Sequence, residues 1–348
     1  MTRPLRLAIA GVGNNISALL QGIYFYRDLM AYGTDEADLP GIRNPRIGGF
    51  RVSDIEFVCA FDINPSKIGI DLSEAIVAPP NSYPWLGVDV PLQHVTVLAG
   101  IQEDDSLEPV VKSLIDTEAD VLVYSLPTGH QRIVELYAQA ALQAHMSFVN
   151  CTPEHAARSV ELMTAFENAG LPLVGDDLAS HLGTSVVHRT LLNLIREQGI
   201  TLKSSYQLNF GGNEDFRNLL DYGTSKRQSK FNALAQDEHD WNSIEVIPAA
   251  AHIPHLRDNK VAVINIEGVG WGARPVSLDL TLRVQDSSNA AGVIIDLVRI
   301  AAASLQSGVV GFPVAAASVL KSPAINHREL TKEMIDQDFK RLGGVVSE

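Results

Sequence analysis

The stretch Leu5-Arg6-Leu7-Ala8-Ile9-Ala10-Gly11-Val12-Gly13-Asn14-Asn15 decides the fold of this chain. From Leu5 to Ala10 every position but Arg6 is apolar, which reads as a buried strand, and the run stops at a Gly-x-Gly turn. From about Ile16 to Met30 the spacing reads as a helix. A strand turning through glycines into a helix focuses backbone N–H groups on one point, and a pyrophosphate can rest there. A βα turn without a ligand can have the same local sequence. Its place near the chain start, between strand and helix, is the context a dinucleotide site requires. Position 16 is Ile, where the fingerprint has Gly or Ala, so helix and strand must pack differently there.

Working outward, the second strand, Ile55–Ile63, carries Asp62 near its end. A carboxylate there accepts hydrogen bonds from adenosine ribose hydroxyls and disfavours a 2′-phosphate, which points to NAD rather than NADP. Gly13 and Asp62 are much further apart than the usual ~20 residues, and an insertion over Tyr26–Val52 accounts for the difference. Strand-like runs recur at Val95–Leu98, Val121–Leu126, Phe148–Cys151 and Leu171–Gly175, with helical stretches at Ser106–Thr117, His130–His145 and His155–Ala169. This alternation predicts a parallel sheet covered on both faces. Ser125 and Thr128 after one strand, and Asn150 and Thr152 after the next, are candidate cofactor contacts or ordinary turn residues.

Beyond Gly175 the pattern changes. A helix over Gly183–Glu197, closed by Gly199, is followed by strand-like runs at Thr201–Phe210, Val261–Glu267 and Ser277–Val284. These imply an open, mainly antiparallel sheet, and the helical run Ala290–Leu305 is expected to return to the first domain. The fold class is α/β: a Rossmann-like, doubly wound parallel sheet plus an inserted α+β domain. Its expected boundaries are 1–180, 181–290 and 291–348. A chain of 348 residues exceeds the ~250–300 that one core serves.

Composition narrows the function. A net charge of −14 argues against a general nucleic-acid role, which needs a basic face. No run approaches ~18–20 uninterrupted apolar residues, and Leu7–Val12 is too short for a signal core, so a cytoplasmic protein without a membrane span is expected. Cys59 and Cys151 lie in apolar strands and read as buried thiols of a reducing compartment. His252 and His255, three apart beside Pro254, read as a loop pair, and no metal site is expected. Nine lysines stand against eighteen arginines, so lysine is not surface filler, and Lys226, Lys230, Lys260 and Lys321 occur in segments otherwise short of charge.

Ordered motifs surround those lysines: Gly175-Asp176-Asp177-Leu178-Ala179-Ser180, Gln207-Leu208-Asn209-Phe210-Gly211-Gly212-Asn213-Glu214-Asp215-Phe216 and Ser225-Lys226-Arg227-Gln228-Ser229-Lys230. Arg257-Asp258-Asn259-Lys260, Gln285-Asp286-Ser287 and Leu320-Lys321-Ser322-Pro323 follow. With Gly11-Val12-Gly13-Asn14 and Phe61-Asp62-Ile63, the series resembles the myo-inositol-1-phosphate synthases, especially their short prokaryotic forms, across nearly the whole chain.

The resemblance implies conversion of glucose 6-phosphate to inositol 3-phosphate: oxidation at C5 by NAD, enolisation at C6, attack on the C1 aldehyde and return of the hydride. It places Lys226 as acid/base near C5, Lys260 at proton transfer and enolate charge, and Lys321 at the C1 carbonyl oxygen. Lys230 would hold phosphate with Asn209, Asn213 and Ser180. Asp177, Asp215, Asp258 and Asp286 would orient the lysines or relay protons. Gly11, Gly13, Asn14, Asn15, Asp62, Ser125, Thr128, Asn150, Thr152 and Asp177 form the implied NAD site, and a homotetramer is the implied assembly. Ala179 stands where the family usually carries lysine, which keeps open another hexose phosphate such as fructose 6-phosphate. A simple NAD dehydrogenase and a silent NAD-binding regulator are the remaining readings, and retention of all four lysines disfavours the regulator.

Overall fold

The computed structural model describes residues 3–103, 105–218, 234, 244–325 and 330–343, with only the backbone for 244–250. In it Leu5–Ala10 forms strand β1 and Asn14–Ala31 forms helix α1. Leu5, Leu7 and Ile9 enter one apolar core, while Ala8 and Ala10 enter a second on the opposite face. A strand apolar on both faces has to be covered on both, and the rest of the first half supplies that cover.

The order continues β2 (Arg46–Ile47), β3 (Phe50–Arg51), β4 (Ile55–Asp62), α2 (Leu72–Ala75), β5 (Val97–Ala99) and α3 (Glu108–Asp116). Next come β6 (Val121–Tyr124), α4 (Gln131–Gln143), β7 (Ser147–Asn150), α5 (Val160–Asn168) and β8 (Leu173–Val174). Six of these strands make a parallel sheet in the order β5-β4-β1-β6-β7-β8. The direction of winding reverses between β1 and β6. Their following loops diverge there and leave a crevice outside the strand ends.

Two features depart from the sequence reading. Helix α5 begins five residues later than expected, because Asp176 draws in the N–H groups of Ala156, Ala157 and Arg158 and Ser159 then caps the helix. The insertion after α1 is partly ordered as the β2–β3 hairpin. It is pinned by Arg299, which donates to the Pro45 carbonyl and pairs with Asp296, and Asp296 also accepts from Asn44.

The second half supplies α6 (Thr184–Glu197), β9 (Thr201–Gly211), β10 (Ile244–His252), β11 (Asn259–Val269) and β12 (Pro275–Gln285). The sheet runs β10-β9-β11-β12, antiparallel except that β10 lies parallel to β9. β10 escaped the sequence reading because Pro248 and three alanines break its strand signal; an edge position tolerates the proline. Leu192 and Ile195 of α6 pack on Ile264 and Ile266 of β11.

Helix α7 (Asp286–Gln306) then runs back to pack on α1 and β7, and α8 (Lys332–Arg341) follows. With 21 residues and a mean hydropathy of 1.4, α7 is long and apolar enough to cross a membrane, but 72% of that window is buried inside the fold. It is mostly apolar because it is a core helix, and its buried Asp296 and Arg299 pair with each other.

Candidate active site

The crevice at the β1/β6 reversal opens into a cavity of about 480 Å³ bounded by both sheets. One wall is backbone-rich. Gly11 has φ +101°, and a Cβ there would lie 2.6 Å from the Ser125 carbonyl oxygen, so the turn requires glycine. A Cβ on Gly13 would meet nothing within 4 Å, and Gly13 lines the cavity, so its bareness leaves room for a ligand. Helix α1 starts at Gly13 with no side-chain cap and no acid in its first turn, which leaves its first N–H groups for an anion.

Asp62 accepts from Val12 N at 2.6 Å and Asn64 N at 2.8 Å, tying the end of β4 to the turn. Asn14 accepts from Ser82 N and Tyr83 N, and Asn15 donates to Ser125 Oγ at 3.4 Å. Ser125, Thr128 and Thr152 line the same wall. Asn150 does not: its amide is engaged behind the surface by Thr152 and Glu154 carbonyls and by Asp176, and its Oδ1 holds Thr152. These turns offer glycine backbone, hydroxyls and an acidic strand end, a donor set that fits a dinucleotide.

The opposite wall carries paired charges. Lys260, at the start of β11, donates to Asp286 Oδ1 at 3.0 Å and lies 5.6 Å from the centre of the Phe216 ring. Lys321 donates to Asp177 Oδ1 at 2.7 Å. A short backbone pairing sets that contact: Lys321 N donates to Asp177 O, and Ala179 N to Val319 O. Asp177 has φ +57°, a left-handed conformation uncommon outside glycine. Its neighbour Asp176 is fully buried and serves the loop before α5 and Arg158. Neither aspartate caps a helix, since Gly183 is the N-cap of α6.

Asp258 does not line the cavity. It accepts from Ser287 Oγ at 2.6 Å, Ser287 N at 3.1 Å and Asn213 Nδ2 at 3.2 Å, and both Ser287 and Asn213 reach the cavity. Burial pushes the Asp258 carboxyl up to about 6, with Asp286 adding to the rise and the Ser287 and Asn213 hydrogen bonds opposing it. Asp215, Ser180 and Ala179 line the cavity, while Asn209 is buried beneath it and accepts from Gln207. Lys226 and Lys230 lie outside the described residues.

The sequence reading overlooked two groups. Helix α6 is a second helix opening on the cavity without a side-chain cap, through Gly183, Thr184 and Ser185, and buried Thr184 Oγ1 has no partner among the described residues. A glycine followed by Thr-Ser at the head of an amphipathic helix was the available signal. The other is Lys67, a buried ammonium in the backbone-rich wall.

Comparisons with known proteins find close relatives of this chain. The family model described as myo-inositol-1-phosphate synthase matches residues 183–287. The inositol-3-phosphate synthase of Corynebacterium glutamicum is 38% identical, over 92% of this chain and 94% of that protein. That of Mycolicibacterium smegmatis is 39% identical, over 92% and 93%. The crystal structure of a protein named Ari2 is 56% identical and superposes with a TM-score of 0.91, over 97% of this chain and 98% of that one.

Proposed function

Since the chain belongs to the myo-inositol-1-phosphate synthase family, we propose that it closes a hexose phosphate into a carbocycle with recycled NAD. The observation that carries this reading is the meeting of Lys260 and Lys321, from separate elements, in one cavity with the Gly11–Asn15 turn. The Gly11–Asn15 turn and Asp62 would hold NAD, which would supply a hydride acceptor for C5 of the substrate and give the hydride back, with no net redox change.

The residues of the second wall handle charge and protons. Lys321, aligned by Asp177, faces the C1 carbonyl oxygen as it becomes an alkoxide. Lys260, aligned by Asp286, faces the enolate oxygen and moves the proton there. Cations fixed in place are worth more to a developing oxyanion than cations in solution, because they need not reorganise. Asp258, its carboxyl raised to about 6 by burial, stands behind Ser287 and relays protons through that hydroxyl. The uncapped head of α6, with Thr184 and Ser185, receives the phosphate together with Ser180, Asn213 and Lys230. Lys226 serves as acid/base at C5, Asn209 and Asp215 support these contacts, and the enzyme assembles as a homotetramer.

Glucose 6-phosphate, giving inositol 3-phosphate, is the first substrate of this reading. A second reading rests on Ala179, a cavity residue where the family usually carries lysine: a different hexose phosphate, such as fructose 6-phosphate. Incubation with catalytic NAD and each sugar phosphate, followed by mass and NMR of the product, decides between them. A carbocyclic phosphate without NADH accumulation supports cyclisation. Stoichiometric NADH with an open-chain ketone overturns it.

A further inference from the structure

We propose that Lys67 is a cofactor-binding residue, its ammonium group meeting an oxygen of the dinucleotide pyrophosphate beside the Gly11–Gly13 turn. The inference rests on the reading that NAD occupies the cavity. Lys67 follows β4 in Asn64-Pro65-Ser66-Lys67, is only 3% exposed, and lines the cavity. Its Nζ donates to the Val12 carbonyl at 2.7 Å and to Asn81 Oδ1 at 2.8 Å. Asn81 grips the same carbonyl through Nδ2 at 3.0 Å and also holds the Ile76 carbonyl. An ammonium has three donors, and the third finds no acceptor among the described residues.

Both partners of Lys67 are neutral oxygens. Asp62 is the nearby acid, yet its two oxygens accept from Val12 N and Asn64 N, and among the described residues no carboxylate forms a salt bridge with Lys67. Burial pulls the Lys67 pKa below the ordinary lysine value, against the opposing pull of Asp62. A buried cation without a close counter-charge is costly. A pyrophosphate laid over Gly13 and the head of α1 supplies that counter-charge. The same contact explains the turn: with its carbonyl engaged by Lys67 and Asn81, Val12 offers no repulsive oxygen to the incoming phosphate.

The test is calorimetric titration of the full-length protein, and of its Lys67→Met and Lys67→Gln variants, with NAD, ADP-ribose, NADP and adenosine at two salt concentrations. Loss of a charge-assisted hydrogen bond is expected to raise Kd for NAD and ADP-ribose about 10- to 100-fold, while adenosine binding stays unchanged. Lys67→Gln keeps a donor for Val12 without the charge. It is expected to hold the wild-type unfolding midpoint and still lose ADP-ribose affinity and its salt dependence. Unchanged ADP-ribose affinity in either folded variant overturns the assignment, as does an equal loss for adenosine or a loss confined to NADP. If the wild-type protein itself does not bind NAD, the cofactor reading and the role of Lys67 fall together. If it binds and the variants match it, only the role of Lys67 falls.

Discussion

The two walls of the cavity are built on different principles. Along the parallel sheet, the lining is bare backbone at Gly11 and Gly13, an uncapped helix and hydroxyls on strand-end turns. Along the second sheet and the 319–322 segment, it is ammonium–carboxylate pairs, Lys260 with Asp286 and Lys321 with Asp177. The first wall suits the pyrophosphate and ribose of a dinucleotide, which take no part in bond making. The second suits a ligand whose charge changes during the reaction, because paired lysines can shift protons and meet new negative charge. Binding and chemistry should therefore separate under mutation.

The largest effect should come from the charged wall. Lys321→Ala or Lys260→Ala is expected to lower kcat about 10²- to 10⁴-fold while the NAD Kd moves less than about threefold. Steady-state rates beside a NAD titration check this, and parallel losses in both would break the distinction between the walls. Next is the backbone wall. Gly11→Ala forces a Cβ to 2.6 Å from the Ser125 oxygen at φ +101°, and should cost about 2–3 kcal/mol in urea unfolding as well as NAD affinity. Gly13→Ala meets no atom within 4 Å and should weaken NAD binding with less than about 1 kcal/mol of stability loss.

A third, smaller effect is read in pH. Asp258 has its carboxyl raised from 3.8 to about 6, chiefly by burial. The neutral form is thus favoured by folding: its stabilisation is full below about pH 4 and is lost as pH rises through about 6. The size is on the order of 3 kcal/mol, from about 1.4 kcal/mol per pKa unit. Relative to Asp258→Asn, the wild-type protein should lose stability between pH 4 and 7.5 in urea titrations. A constant difference across that range would show that Asp258 does not titrate there. Last, Ala179→Lys should leave NAD binding intact and change the kcat/KM ratio between glucose 6-phosphate and fructose 6-phosphate by roughly tenfold, the scale of one charged contact.

Much of the backbone wall was legible because its signals are local. Gly11-Val12-Gly13 follows an apolar run, and Asp62 ends the next one. Chain separation hides the other wall: Asp177 and Lys321 are 144 residues apart and Lys260 and Asp286 are 26 apart, and no periodicity relates either pair. Those residues were found through ordered motifs matched to a family. Asn150 was read as a cofactor contact, but turn geometry alone cannot tell an amide facing a ligand from one consumed by Thr152, Glu154 and Asp176. Lys67 and Thr184 were missed because a lysine in a Pro-containing loop and a threonine after glycine look ordinary until the chain folds around them. Lys226 and Lys230, which the resemblance places at C5 and at the phosphate, lie outside the described residues.

The backbone pairing between Asp177 and Lys321 also bears on how the protein becomes active as it is made. Translation delivers the entire nucleotide-binding turn first, then Lys260, and Lys321 last of all. On the proposed chemistry, a chain that stops short of that residue lacks the cation for ring closure. The last-made partner of the pair thereby completes the charged wall.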